Sequence, residues 1–304
     1  MAEVRSSVGI PSATAFGGLG APSPGTPIIV DTSTANLYVL IGSVPKLVGG
    51  IPYGNINGCY CTYNSASVLG AALGSLDING VQCANAGAIT LTLSGLTTGL
   101  NYVYAYNSSG TAWAIECSTT APVKSASLNG WYKTGDTTRR CIWAIYALTA
   151  STMLKFTAQR SGSGRLRSCT FLIDFGASSP DNDFLFINGL ASATPTSWAS
   201  VDMSSIMPVN VLTAKMSLGF FNAGAAPQDC AMVLSETDPG SIPANSAITG
   251  AGPYISLGIG ESFYGGLGEM TMPVNRALYW CAYGVLSNPD VLGYAIVAGW
   301  EMDT

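Results

Sequence analysis

The chain has 304 residues, of which 10 % are charged and 48 % hydrophobic, with 12 Lys and Arg, 17 Asp and Glu and no histidine. The lack of histidine excludes Ser-His-Asp and Cys-His nucleophile pairs and HExxH metal helices, and with them most familiar hydrolase chemistry. Globular chains average about 25 % charged residues, so we expect other protein to cover much of this surface. The net charge of −5 attracts neither nucleic acid nor an anionic membrane, and we expect neither as a partner.

Residues 1–27 are rich in Ala, Gly, Ser and Pro and end in GGLGAPSPGTP. Prolines at positions 11, 22, 24 and 27 disfavour regular structure, so this segment is predicted to be an extended arm. The arm could become ordered on a neighbouring subunit or remain a disordered terminus. It has no compact apolar stretch followed by a cleavage site, so we expect no secretion signal and assembly in the cytoplasm.

Residues 28–125 are predicted to form a small β domain. Apolar runs at 28–30 and 37–41 flank the polar link DTSTAN and predict a hairpin. A β-meander is predicted from the alternating runs at 89–96, 102–106 and 112–117, with NSSG as the turn between the last two.

One helix is expected in this part, from Ala66 to Leu76, although its glycines weaken it. The stretch from Ile78 to Ile115 carries no charge, but polar residues and glycines interrupt it. It therefore contains no apolar run of about 18 residues that could cross a membrane, and no membrane insertion is predicted.

Residues 126–304 are predicted to form a second, larger β domain, because short apolar runs alternate there with Gly, Pro, Asn and Ser turns. The runs lie at 141–147, 153–158, 169–175, 184–187, 215–221, 231–234, 254–259, 269–274, 277–283 and 292–300. This spacing, without a long amphipathic helix, is typical of a β-sandwich or jelly roll. The predicted fold class is all-β: a sandwich or jelly-roll-like C-terminal domain, preceded by a smaller β domain and the arm.

Eight cysteines lie at positions 59, 61, 83, 117, 141, 169, 230 and 281, without a CxxC pair that would indicate a zinc or redox site. A chain without a secretion signal normally stays reduced, so buried free thiols are expected. A disulfide framework is the alternative.

The densest acidic group is Asp174, Asp181 and Asp183, in IDFGASSPDND. A glycosidase needs only a positioned pair of carboxylates, but spacing cannot identify such a pair, and turn or ion-pair roles are favoured. Asp181-x-Asp183 is similar to the start of a calcium loop, yet Leu185 stands at the next ligand position. We therefore predict no metal site, and nothing in the sequence calls for a cofactor.

Five arginines form the densest positive region: Arg139, Arg140, Arg160, Arg165 and Arg167. The last three flank the turn SGSG, and on a hairpin Arg160 and Arg167 would face each other across the strands. Ion pairs with the acidic group at 174–183, within or between subunits, are expected. A site for an anionic glycan or a phosphate is the alternative.

Two aromatic pairs, Trp131-Tyr132 and Phe263-Tyr264, lie at turn-like positions and are the aromatic residues best placed to face a ligand. Other aromatic residues, such as Trp143, lie inside strand runs and are predicted to fill the core or an interface.

Three passages resemble structural proteins of tailed bacteriophages, especially fibre-type and tail-associated proteins. They are TPIIVDTSTANLYVLIGSVPKLVGG (26–50), LNYVYAYNSSGTAWAIECSTTAP (100–122) with LNGWYKTGDTTRRCIWAIYA (128–147), and VLGYAIVAGWEM (291–302). The first is similar to a hairpin near the start of phage fibre modules. The second and third are similar to parts of a recurrent virion module. Residues 100–122 resemble its strand pair, residues 128–147 resemble the Lys/Arg-Thr turn and aromatic strand that follow, and residues 291–302 resemble its last strand. After Trp143 the chain departs from that module, reading AIYALTASTM where Asn, Tyr and Arg would be expected.

The resemblance implies a non-enzymatic virion protein: a fibre, spike or decoration subunit that forms a homo-oligomer, with a trimer as the favoured form. The arm and residues 28–125 would attach to other virion proteins, and residues 126–304 would form an exposed sandwich that could contact host surface glycans. Two other classes stay open. One is a carbohydrate-active enzyme using carboxylates such as Asp174, Asp181, Asp183 or Glu261, and the other is a secreted lectin-like module held by disulfides.

Overall fold

In the computed structural model, the described residues lie almost entirely in strands and turns. The described residues are 4–7, 28–31, 36–41, 44–49, 56–57, 59–72, 74–85, 87–110, 112–160, 166–172, 185–190, 198–222, 228–240, 254–257, 262–284 and 291–304. They contain no helix, which confirms the prediction of an all-β fold. It follows that no described segment is a helix of the length and apolarity needed to span a membrane.

The strands are short in the first part of the chain and longer towards its end. The first fourteen are β1 (Val4–Ser7), β2 (Ile28–Asp31), β3 (Asn36–Ile41), β4 (Val44–Gly49), β5 (Ile56–Asn57), β6 (Cys61–Ser65), β7 (Val68–Ala71), β8 (Ser75–Ile78), β9 (Val81–Ala84), β10 (Ile89–Thr92), β11 (Gly99–Ser109), β12 (Ala112–Ser118), β13 (Pro122–Ser125) and β14 (Gly130–Lys133). The others are β15 (Asp136–Thr149), β16 (Thr152–Met153), β17 (Phe156–Arg160), β18 (Leu166–Phe171), β19 (Leu185–Leu190), β20 (Ala199–Asp202), β21 (Val211–Asn222), β22 (Gln228–Ser235), β23 (Tyr254–Leu257), β24 (Ser262–Thr271), β25 (Ala277–Gly284) and β26 (Val291–Asp303).

Two six-stranded sheets carry most of the described core. The central sheet has the order β12-β11-β15-β14-β13, with β16 paired to β15, and the C-terminal sheet has the order β17-β18-β26-β21-β24, with β19 paired to β26. Smaller sheets have the orders β1-β2-β3-β4, β10-β7-β6, β5-β8-β9 and β20-β25-β22-β23. An all-β chain with several sheets is consistent with the predicted sandwich or jelly-roll-like fold.

The beginning of the chain differs in one respect from its prediction. The hairpin expected after residue 27 is present, since β2 pairs antiparallel with β3. The arm, however, is not wholly irregular, because β1 pairs in parallel with β2, Val4 lying opposite Ile28. The prolines that disfavour a strand begin only at Pro11, so every residue of β1 keeps its backbone N–H for the ladder.

The helix predicted from Ala66 to Leu76 is wrong, because this segment contributes β7 and the start of β8. A glycine inside a helix costs about 1 kcal/mol, whereas strand pairing buries Leu69 and Leu76 completely. The meander prediction is partly right. β11 and β12 form the expected hairpin, but β10 pairs with β7 in another sheet.

One hydrophobic cluster joins side chains from both halves of the chain. Trp143 of β15 and Trp300 of β26 are fully buried in it, together with Leu69 of β7. Phe156 lies 5.7 Å from Trp143 between ring centroids, and Phe171 meets Trp300 edge to face at 4.7 Å. The boundary that we expected between residues 125 and 126 lies between β13 and β14, which pair with each other in the central sheet.

The described cysteines are free thiols, as predicted: Cys59, Cys61, Cys83, Cys117, Cys141, Cys169 and Cys281. All of these except Cys117 are buried. Burial raises the pKa of the Cys59 and Cys141 thiols to about 12. They therefore stay protonated at neutral pH and act as small apolar side chains.

Candidate functional site

The consecutive residues Arg139 and Arg140 lie on opposite faces of the central sheet, because side chains alternate along β15. Arg140 is fully buried. Its Nη1 donates a hydrogen bond to the backbone oxygen of Asp77 at 2.8 Å, and its guanidinium carbon is 5.9 Å from the ring centroid of Tyr132. A buried guanidinium with these contacts joins the central sheet to β8 and does not face a ligand.

The other charged candidates are only partly described. Arg167 on β18 is fully buried, and in the β17–β18 ladder it lies directly opposite Arg160, the register expected for this hairpin. Arg160 is described only as a backbone position. Arg165, Asp174, Asp181, Asp183 and Glu261 lie outside the described residues, so ion pairing between the arginines and this acidic group stays a prediction.

The aromatic candidates Trp131 and Tyr132 lie on β14 rather than in a turn. Tyr132 is 1 % exposed and belongs to the interior. Trp131 is half-buried, and its Nε1 donates to Oδ2 of Asp303 at 3.0 Å. Lys124 Nζ lies 3.1 Å from the same oxygen and 5.8 Å from the Trp131 ring centroid. Through Asp303, the side chains of Trp131 and Lys124 connect the central sheet to β26 of the C-terminal sheet. Phe263 and Tyr264 are likewise strand positions, on β24.

A charged network lies on the face of the central sheet opposite Arg140. Glu116 of β12 accepts a hydrogen bond from Lys133 Nζ at 3.1 Å through Oε1, and from Arg139 Nε at 3.0 Å through Oε2. All three side chains are between 25 and 30 % exposed. The Arg139 guanidinium stacks over the Tyr106 ring at 4.4 Å. Two cations thus hold the carboxylate of Glu116 in one position, and all three groups are partly exposed to solvent.

A cavity of about 300 Å³ opens beside this network, between the β10–β11 loop and the end of β12. Glu116 lies in the wall of this cavity together with five residues that carry hydroxyl groups: Thr92, Ser94, Thr97, Ser118 and Thr119. Leu91, Leu93 and Leu96 supply apolar lining. This is where the described part of the chain brings polar side chains together around an accessible space.

Backbone groups of β12 also face the cavity. β12 is an end strand of the central sheet, and the amide of Asn85 pairs with its outer edge at Trp113, accepting from the backbone N–H at 3.0 Å and donating to the backbone oxygen at 2.6 Å. Outward-pointing backbone groups recur at every second residue of an antiparallel strand. The N–H and C=O of Cys117 therefore point away from β11, towards the cavity that this residue lines.

This site is not predicted from the sequence, because the run ITLTLSGL indicates only a strand. Glu116 carried a usable signal: it is the first charged residue after Asp77, and it stands inside a strand run. The described residues contain no group of three or more His, Cys, Asp or Glu that could hold a metal ion.

The chain matches no protein-family model and no curated protein sequence. Among solved structures it is similar, at low level, to an exo-β-1,3-galactanase from Phanerochaete chrysosporium, with 10 % identity, a TM-score of 0.21 and coverage of 88 % of this chain and 66 % of that one. A Cry1Da tryptic core from Bacillus thuringiensis has 10 % identity and a TM-score of 0.18, covering 82 % of this chain and 51 % of that one. A tandem CBM22 domain from Paenibacillus barcinonensis Xyn10C has 12 % identity and a TM-score of 0.21, covering 83 % and 92 %. This chain thus spans less than two thirds of the galactanase and about half of the toxin core.

Proposed function

We propose that this chain is a structural protein of a tailed-phage virion, a fibre, spike or decoration subunit that works as a homo-oligomer and contacts glycans rather than cleaving them. The observation that carries the proposal is the scarcity of surface charge on an all-β chain. Only 10 % of the residues are charged. Three of them, Asp77, Arg140 and Arg167, are buried and add no charge to the surface. Surfaces that stay buried between subunits are low in charge, like a domain core cut in half.

The passages that resemble phage fibre and tail-associated proteins support the same proposal. The segments at 100–122 and 128–147 contain β12 and β14 and most of β11 and β15, four strands of the central sheet. A binding role also agrees with the position of Glu116, whose two oxygens are both engaged by cations. A carboxylate held in this way is suited to accept hydrogen bonds from a ligand.

Size-exclusion chromatography with light scattering tests the oligomer. We expect a mass that is a multiple of 31.3 kDa, three times that value in the favoured form. Because the contact is expected to be poor in charge, the mass should stay the same when the salt concentration rises from about 0.1 M to about 1 M, where surface charges are screened. A monomer at micromolar concentration, or an assembly that dissociates in high salt, would contradict this form of the proposal.

A further inference from the structure

We propose that the cavity between the β10–β11 loop and β12 binds one ring of a neutral saccharide. This inference deepens the glycan contact in the proposed function and names its site. It does not depend on where the protein sits in a virion or on the number of subunits.

The cavity is formed before any ligand arrives, because the loop on one side is anchored along its length. Leu93 N–H donates to the Ser67 backbone oxygen at 2.9 Å, and Leu96 N–H donates to that of Ala150, also at 2.9 Å. The buried amide of Asn101 donates to the backbone oxygens of Thr97 at 2.7 Å and Gly99 at 3.0 Å. A preorganised wall lowers the entropic cost of binding.

The size of the cavity selects a small ligand. About 300 Å³ is at the lower end of the range for small-molecule pockets, which is roughly 300–1,000 Å³. The space suits a single ring with its substituents, and a longer chain would have to continue outside it.

Charge selects a neutral ligand. An anionic ligand would find no unpaired cation in the wall, because Lys133 and Arg139 are bound to Glu116 and do not line the cavity, so its charge would lose water without gaining a partner. A cationic ligand would find that carboxylate already neutralised by Lys133 and Arg139, whose positive charges lie beside it. A neutral ligand that donates hydrogen bonds meets neither obstacle.

The chemistry of the wall selects a polyol. Hydroxyls such as those of Thr97 and Thr119 can both donate and accept, and the outward N–H and C=O of Cys117 add one group of each kind. Filling the cavity with an apolar ligand would strip these groups of water without replacing their hydrogen bonds. A sugar ring offers hydroxyls on its rim for these groups and C–H faces for leucines such as Leu91.

The charged residues beside the cavity indicate that it stays accessible to a ligand in the oligomer. Glu116, Lys133 and Arg139 form a rare cluster of charges on a chain that has few, and each keeps contact with solvent. Charged side chains are depleted in the cores of protein interfaces. The side of the molecule that bears the cavity is therefore expected to stay in water when the oligomer forms.

The test uses the full-length protein and the methyl glycosides of glucose, galactose and N-acetylglucosamine as probes, followed by saturation-transfer NMR and calorimetry. We expect at least one of them to bind with a dissociation constant of about 10 mM or tighter. Glucuronate and protonated glucosamine should bind at least about 10-fold more weakly than the best neutral glycoside. Binding of none of the three glycosides, or equal binding of glucuronate, would overturn the proposal.

Two adjacent threonines supply a matched pair of variants. Thr119 lines the cavity and Thr120 does not, although both are exposed. Thr119→Val should weaken glycoside binding about 10-fold by removing one hydroxyl partner, whereas Thr120→Val should change it less than about 2-fold. Both variants should keep the wild-type circular dichroism and oligomer mass, so a loss of sugar binding is separable from a failure of the oligomer. Equal binding by both variants would place the sugar elsewhere and overturn the proposal.

Discussion

Replacing Gly299 with alanine is expected to destabilise the protein by about 3 kcal/mol, at the upper end of the usual cost of overpacking. Gly299 lies in β26, which is flanked by β18 and β21 in the C-terminal sheet. A Cβ atom on it would collide with the backbone oxygen of Cys169 and lie 2.9 Å from the Cα of Thr170. Both obstacles are backbone atoms of the neighbouring strand, so no side-chain rotation can relieve the collision.

Because Gly299 has no side chain, the Lys215 side chain can also extend over β26 from β21 to β18. Lys215 of β21 lies opposite Gly299, and Thr170 of β18 lies opposite it on the other side. Lys215 Nζ reaches over the glycine to Ser168 Oγ at 2.7 Å and Thr170 Oγ1 at 2.9 Å. A methyl group at position 299 would therefore disturb a polar link across three strands as well as the ladder itself.

The matched control is Gly268→Ala in β24 of the same sheet, where a Cβ atom meets nothing within 4 Å. Its effect should be within about 0.5 kcal/mol of the wild type. Denaturant unfolding measures both changes as shifts of the midpoint at constant slope. If the two alanine variants were equally stable, the close β18–β26 pairing at Gly299 would be wrong.

The second large effect is expected at Arg140. Arg140→Ala should cost about 2–5 kcal/mol, the usual range when a large buried side chain is truncated and a buried acceptor loses its donor. The variant would leave the Asp77 backbone oxygen without its donor and open a cavity between β8 and the central sheet. Gly130 packs directly on this guanidinium, because a Cβ there would lie 3.1 Å from Nη2 of Arg140. The backbone at Gly130 therefore packs closely against the Arg140 side chain.

The preceding residue is the natural control. Arg139→Ala removes a partly exposed ion pair with Glu116 and a stacking contact with Tyr106. Exposed ion pairs contribute roughly 0–1 kcal/mol, so the loss should not exceed about 1 kcal/mol. If instead Arg140→Ala were as stable as Arg139→Ala, Arg140 would not be a structural residue, and a role in ligand binding would be the better interpretation.

The positions of the strands could largely be predicted from local sequence. The alternation in YVYAY and AWAIEC, joined by NSSG, specifies the β11–β12 hairpin, and the runs at 215–221 and 292–300 lie within β21 and β26. These signals are local: alternation, turn residues and apolar length are all visible within about ten residues.

The sheet partners could not be predicted in this way. β10 is followed by β11 in the sequence but pairs with β7, and a strand run carries no local signal that names its partner. Arg139 and Arg140 are alike in sequence, yet one faces solvent and the other lies beside Asp77. The cavity at Glu116 is equally non-local, since its walls come from a loop and from the edge of a strand some twenty residues further on.

The central claim, the proposed structural role in a virion, is tested most directly on purified particles of a tailed phage that carries the gene for this chain, as the proposal requires. The particles would be purified through a density gradient, analysed by mass spectrometry and labelled with gold-coupled antibodies against the recombinant protein. We predict that the 31.3 kDa chain remains with the particles in a fixed number of copies and that the gold marks one defined position on them. Finding the chain in the infected-cell lysate but not in the gradient-purified particles would contradict the claim.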